Sequence, residues 1–159
     1  PGSWLQYIAR RIGPEGIAVG VDLSPVKISL PPWVTVFQDD MYHMDLDTIR
    51  AVVPRFDLVV SDAAPGTTGV AWADHARSVD LTRRSLELAR ELLRPGGTWV
   101  AKVFQGEDLP AFRTEASRAF RKLAQTKPKS SRDRSVEIFL VGLGLKKEGD
   151  QPAPEATGE

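Results

Sequence analysis

The sequence predicts an α/β chain on a doubly wound, mainly parallel sheet, and three observations carry that prediction. Short apolar runs alternate with segments of helical periodicity along most of the chain. The apolar runs are nearly continuous, as in strands buried on both faces, instead of alternating with polar residues. Successive runs also end in acids, at Asp22, at Asp39-Asp40 and at Asp62, on the rim where ligands of such sheets bind.

From Ser3 to Ile12, the residues Trp4, Tyr7, Ile8 and Ile12 share a helical face, and Gly13-Pro14 stops the helix. Ile17 to Asp22 and Val34 to Asp40 follow as strands. Leu46 to Val53 predicts a short helix ended by Pro54, and Phe56 to Asp62 a third strand. Loop formers fill Ala63 to Gly69, after which Asp74 to Leu93 is a long amphipathic helix closed by Pro95-Gly96-Gly97. Thr98 to Phe104 reads as a buried strand interrupted by Lys102, Leu109 to Leu123 as another helix, and Ser135 to Leu145 as a last strand carrying Glu137. Beyond Lys146 the chain is rich in Pro, Glu and Gly and is expected to be disordered. The expected organisation is one domain over 1–146 and a tail over 147–159.

Composition excludes several classes. Without cysteine there are no disulfides and no thiolate metal sites, which suits a reducing compartment. No run reaches the roughly 18 apolar residues of a membrane span, and no basic-then-apolar leader precedes the domain, so a soluble cytoplasmic protein is expected. The 21 basic and 21 acidic residues cancel, so any nucleic-acid footprint has to be local. His43 and His75 are not placed as a ligand pair, and no His/Asp/Glu cluster has metal spacing; no catalytic metal is expected.

An acid after the second strand of such a sheet suits the two hydroxyls of a ribose, and the next acid can accept from the exocyclic amine of an adenine ring. The acidic rim therefore points to an adenosine-containing cofactor, or, taken singly, to acids that cap turns. Pro1-Gly2-Ser3-Trp4 reads as a turn into a helix N-terminus, where backbone N–H groups can approach a ligand. Neither G-x-G-x-x-G nor G-x-x-x-x-G-K-[ST] is present, which removes the main support for dehydrogenase or kinase chemistry. Lys102 is costly to bury in Trp99-Val-Ala-Lys-Val-Phe104 without acidic partners. It either faces water from an edge strand or has its pKa set by Asp62 and Glu137, in which case it can serve as a base. Trp72 and His75, after the glycine-rich loop, either stack on a base or pack against the helix there, and packing is the expectation.

The ordered set Pro1-Gly-Ser-Trp4, Val21-Asp-Leu23, Ser61-Asp-Ala-Ala-Pro65, Trp99-Val-Ala-Lys-Val-Phe-Gln-Gly106 and Lys127-Pro-Lys-Ser-Ser-Arg-Asp-Arg-Ser-Val-Glu137 resembles the FtsJ/RrmJ-type ribosomal RNA 2′-O-ribose methyltransferases, over nearly the whole chain up to Leu145. The resemblance implies a Rossmann-like class I fold whose last strand is antiparallel, with S-adenosyl-L-methionine as cofactor. It implies a site of lysine, aspartate, lysine and glutamate around the target ribose, the last three matching Asp62, Lys102 and Glu137. It places cofactor contacts at Gly2, Trp4, Asp22, Asp40 and Asp62, with Asp39 as the alternative to Asp40. The implied substrate is a uridine of large-subunit ribosomal RNA, free or in the subunit, met by a monomer. RNA contacts are expected at Lys127, Lys129, Arg132 and Arg134, with Lys122, Arg10 and Arg11 adding charge.

The family's first lysine has no counterpart, because the sequence begins partway through the glycine-rich cofactor motif. The absent strand is expected at the centre of the sheet, and its loss to expose a hydrophobic seam, so the sequence is expected to be a piece of a longer protein. Two rival readings are a non-catalytic RNA-binding module of the same fold and a methyltransferase of that fold with a non-RNA substrate. The second leaves Lys102 with Asp62 and Glu137 unexplained.

Overall fold

The computed structural model describes residues 2–127 and 136–150, and no helix among them is long and apolar enough to cross a membrane. The chain divides into two compact units, Pro1–Arg55 and Phe56–Glu159.

In the first unit, α1 spans Ser3–Ile12, β1 Ala18–Asp22, β2 Val34–Gln38 and α2 Leu46–Val52, close to the elements expected from periodicity. Gly2 caps α1 at φ 95°, and a Cβ there would stand 2.8 Å from Val26 and Ile28 side chains, so both conformation and space require glycine. Trp33 ties the connection before β2 to α1 by donating its indole N–H to Ala9 O at 3.0 Å. β1 and β2 run parallel in register from Ala18↔Val34 to Asp22↔Gln38. Asp45 caps α2, accepting from Asp47 N–H at 3.0 Å and from the Thr48 hydroxyl at 3.0 Å.

In the second unit, β3 is Phe56–Ser61, α3 Ala71–Leu92, β4 Leu93–Phe104, α4 Leu109–Ala119, β5 Phe120–Thr126 and β6 Glu137–Leu145. The sheet order is β3-β4-β6-β5. β3 and β4 are parallel, whereas β6 is antiparallel to both β4 and β5, so the last strand runs against its neighbours as the resemblance implied. Among the described residues the strands thus pair as two sheets instead of one continuous sheet.

The core lies between the sheet and two helices. Trp99, Ala101 and Val103 of β4 and Ile138 and Leu140 of β6 are buried with Val79, Leu86 and Ala89 of α3 and Phe112 and Ala116 of α4. Trp99 stacks on Phe120 with ring centroids 5.8 Å apart and planes 7° from parallel. Gly142, opposite Trp99 on β6, leaves the room this stack needs: a Cβ there would meet the Phe120 ring at 2.5 Å.

Three boundaries differ from expectation for identifiable reasons. The helix expected over Leu109 to Leu123 stops at Ala119, and Phe120–Thr126 pairs with β6. Phe120 is worth more stacked in the core than in another helical turn, so packing overrides local propensity. β4 begins at Leu93 because Phe56 pairs with Leu93 and then Leu58 with Thr98, which makes Arg94–Gly97 a bulge instead of a plain helix stop. In the tail expected to be disordered, Glu148–Asp150 forms one 3-10 turn closed by Asp150 N–H to Lys147 O at 2.9 Å, while 151–159 lie outside the described residues.

Candidate active site

Side chains alternate along a strand, so with Trp99, Ala101 and Val103 turned into the helix-covered core, Lys102 projects from the opposite face of β4. β4 has neighbours on both sides, β3 and β6, which rules out the edge-strand placement of Lys102. Phe139 pairs directly with Lys102, and Glu137, two residues earlier on β6, shares its face on the diagonal. Asp62 follows Ser61, whose partner is Ala101, and is thereby level with Lys102. The Lys102 ammonium stands 3.0 Å from an Asp62 oxygen and 3.6 Å from a Glu137 oxygen. The lysine side chain is only 12% exposed, against 43% and 44% for the two acids. A largely buried cation thus meets two half-exposed carboxylates, the counter-charge that the sequence demanded.

The loop after Asp62 is fixed by a residue that the sequence reading passed over. Asp74, buried in the first turn of α3, accepts from Thr68 N–H at 2.8 Å, from the Thr68 hydroxyl at 2.8 Å and from Gly69 N–H at 3.2 Å. The Thr68 amide, then its hydroxyl, the Gly69 amide and Arg77 hold the Asp74 carboxyl below its ordinary 3.8. A depressed folded-state value means that this anchorage stabilises fully above the unfolded value and is lost as pH falls through the folded one. Asp74→Asn should therefore unfold at lower urea than wild type at neutral pH, with the gap closing below about pH 4. A gap that stays constant down to pH 3 would count against the anchor.

His75 is buried beside it. Its Nδ1 faces Phe104 O at 3.0 Å and its Nε2 accepts from Asp108 N–H at 3.1 Å, so the tautomer with hydrogen on Nδ1 satisfies both. The ring lies against Gly106, where a Cβ would come within 2.4 Å of it. His75 packs as expected, but Trp72 does not: it is 77% exposed, in the first turn of α3 and ahead of the first buried side chains, Asp74 and His75.

The expected cofactor residues Gly2, Trp4, Asp22 and Asp40 belong to the first unit. The N-terminus of α1, which Gly2 opens and Trp4 joins, has no side-chain cap. Asp22 ends β1 and accepts from Ser24 N–H at 2.8 Å. Asp40 accepts from Tyr42 N–H at 3.0 Å and lies 2.9 Å from His43 Nδ1, while Asp39 accepts from Asp40 N–H at 2.7 Å. Of the expected RNA contacts, Lys127 is exposed just after β5, as is Lys122 within it; Lys129, Arg132 and Arg134 lie outside the described residues. No three His, Cys, Asp or Glu side chains cluster to hold a metal among the described residues.

The family model of FtsJ-like methyltransferases matches residues 1–145. The chain belongs to that family. A Syntrophobacter fumaroxidans relative named ribosomal RNA large subunit methyltransferase E is 43% identical over 148 residues, covering 92% of this chain and 75% of its own length. An Anaeromyxobacter relative of the same name is 41% identical over 159 residues, and there the chain spans 58% of the relative's length. Among solved structures, a Plasmodium falciparum protein assigned as a ribosomal RNA methyltransferase superposes with a TM-score of 0.77 at 25% identity, over 91% of this chain and 81% of that one. An rRNA-methylase assignment from Clostridium thermocellum shares the fold at a TM-score of 0.59 and 16% identity, over 91% and 83% of the two chains. As a member of the FtsJ-like family, the chain has the α/β methyltransferase fold: its strand pattern predicted the α/β class, and the resemblance implied the methyltransferase fold.

Proposed function

We propose that this chain transfers a methyl group from S-adenosyl-L-methionine to a ribose 2′-hydroxyl of RNA, at a uridine of large-subunit ribosomal RNA. The observation that carries the reading is Lys102, largely buried and within 3.0 Å of Asp62 and 3.6 Å of Glu137. The relatives named for large-subunit ribosomal RNA support the substrate class.

The residues of the first unit fit an adenosine-containing cofactor by their donor chemistry. The Asp22 carboxylate suits ribose hydroxyls, Asp40 or Asp39 an exocyclic amine, and the N-terminus of α1, opened by Gly2, a carboxylate. When bound, S-adenosyl-L-methionine supplies a methyl group already activated by its sulfonium. The chain's own task is to hold the 2′-oxygen in line and remove its proton. Lys102 accepts or steers that proton, and Asp62 and Glu137 fix the lysine's orientation and charge; Asp62 serves cofactor and substrate alike.

Lys127, Lys129, Arg132 and Arg134 are inferred to hold RNA phosphates, and Trp72 offers an exposed ring on which a base can stack. Affinity for RNA should fall steeply with salt, and each of these four charges removed should flatten the log–log slope by about 0.7. The reading is tested by transfer of tritiated methyl to ribosomal RNA, free and in the subunit, by the full chain. Labelled 2′-O-methyluridine is the expected product, with DNA inert. RNA binding with the expected salt slope but no label would instead identify a non-catalytic RNA-binding module.

A further inference from the structure

α3 carries a buried polar stripe, His75, Ser78, Thr82 and Ser85, on the side that packs against β4. Such groups are costly inside a core unless each is bonded. Their partners are specific. The parallel pairing of β4 with β3 ends at Ser61↔Ala101, and beyond that point the α3 stripe takes over the backbone of β4. Thr82 Oγ1 lies 2.9 Å from Lys102 O, Ser78 Oγ accepts from Phe104 N–H at 2.9 Å, and His75 Nδ1 faces Phe104 O at 3.0 Å. Residues two apart turn their backbone groups to the same edge of a strand, so three α3 side chains replace the strand that is no longer alongside.

We infer that this stripe, and Thr82 above all, is a positioning device for Lys102, holding its carbonyl from the helix side while Asp62 and Glu137 hold its ammonium on the other face. The inference rests on the reading of Lys102 as the reacting lysine and adds residues that touch neither substrate nor cofactor. Thr82 Oγ1 also lies 2.7 Å from Ser78 O. That carbonyl is already an acceptor in the helix, which leaves Lys102 O as the acceptor that gains most from the single hydroxyl hydrogen.

The test is the pair Thr82→Val and Thr82→Ser in the full chain. Valine keeps the shape and removes the hydrogen bond, so kcat should fall on the order of 10-fold, since small misplacements of a reacting group are that costly, with KM for RNA and cofactor affinity unchanged. Serine restores the hydroxyl and should bring kcat back to near wild type. The carbonyl carbon shift of Lys102 should move in the valine variant only, and Ser78→Ala should speed hydrogen exchange of the Phe104 amide. A wild-type kcat in Thr82→Val, a fall that serine does not repair, or a loss shared equally by KM overturns the positioning role. Failure of the underlying reading looks different: the unsubstituted chain then transfers no methyl, while the Lys102 carbonyl shift still separates the two variants.

Discussion

Lys102→Ala should lower methyl transfer by at least about 10³-fold while leaving S-adenosyl-L-methionine affinity within a few-fold, the upper part of the range for a positioned proton-transfer group. The asymmetry follows from where the lysine stands. It contacts Asp62 at 3.0 Å and Glu137 at 3.6 Å, and its proposed task is the 2′-hydroxyl proton, not the hold on the cofactor. Its removal leaves two carboxylates without their shared cation, yet each is more than two-fifths exposed and can recover solvation from water, so the fold should survive. Single-turnover methyl transfer and calorimetric cofactor titration on the same preparation separate the two effects. Retained turnover refutes the role assigned to Lys102. Equal loss of turnover and of cofactor affinity makes it a binding residue instead.

Trp99→Ala should destabilise the second unit by about 3–5 kcal/mol, the range for removing a fully buried large aromatic. Trp99 is wholly inaccessible, stacks on Phe120 and donates its indole N–H to Ser85 Oγ at 3.2 Å. Truncation opens a cavity among β4, β5 and α3, strips Phe120 of its ring partner and leaves Ser85 without that donor. Against the roughly 5–15 kcal/mol by which domains are stable, such a loss consumes a large fraction. Urea denaturation followed by far-ultraviolet dichroism measures it. Trp99→Phe, which keeps the stack and loses only the N–H and some volume, should remain foldable and cost less than half as much. A cost below about 1 kcal/mol for the alanine variant would mean that the site collapses freely, contrary to the packing described.

Part of the candidate site was legible because it violates local expectation. A lysine inside an apolar run is costly without counter-charge, so Lys102 pointed to acidic partners, whereas Asp62 alone reads as a turn cap and Glu137 alone as a residue on a solvated face; the ion pairs at 3.0 and 3.6 Å are what joins the three. What escaped notice were residues that look ordinary in sequence. Ser78, Thr82 and Ser85 share the helical spacing of apolar Val79, Leu86 and Ala89, and a small hydroxyl at such a position reads as a tolerated polar residue until its backbone partner is seen. β5 was hidden for the opposite reason: Phe-Arg-Lys-Leu continues a helix comfortably, and only the pairing with β6 and the stack on Trp99, both distant in sequence, turn it into a strand. Trp72, expected to pack on the following helix, belongs to it instead: the helix starts earlier than the periodicity suggests, which leaves the ring one turn ahead of the buried stripe.

The contact between His75 and Gly106 also shapes how this sequence can drift. Alanine at 106 would press its methyl to 2.4–2.5 Å of three ring atoms of His75, so the change is admissible only after the imidazole has shrunk. Shrinking it first forfeits the bonds to Phe104 O and Asp108 N–H. Either single step is disfavoured and only the pair restores a packed arrangement, the signature of sign-dependent coupling between neighbouring sites. Lineages should therefore keep the glycine and the histidine together or lose both, and an ancestor that exchanged one of them would have had to pass through a weakened intermediate before recovering.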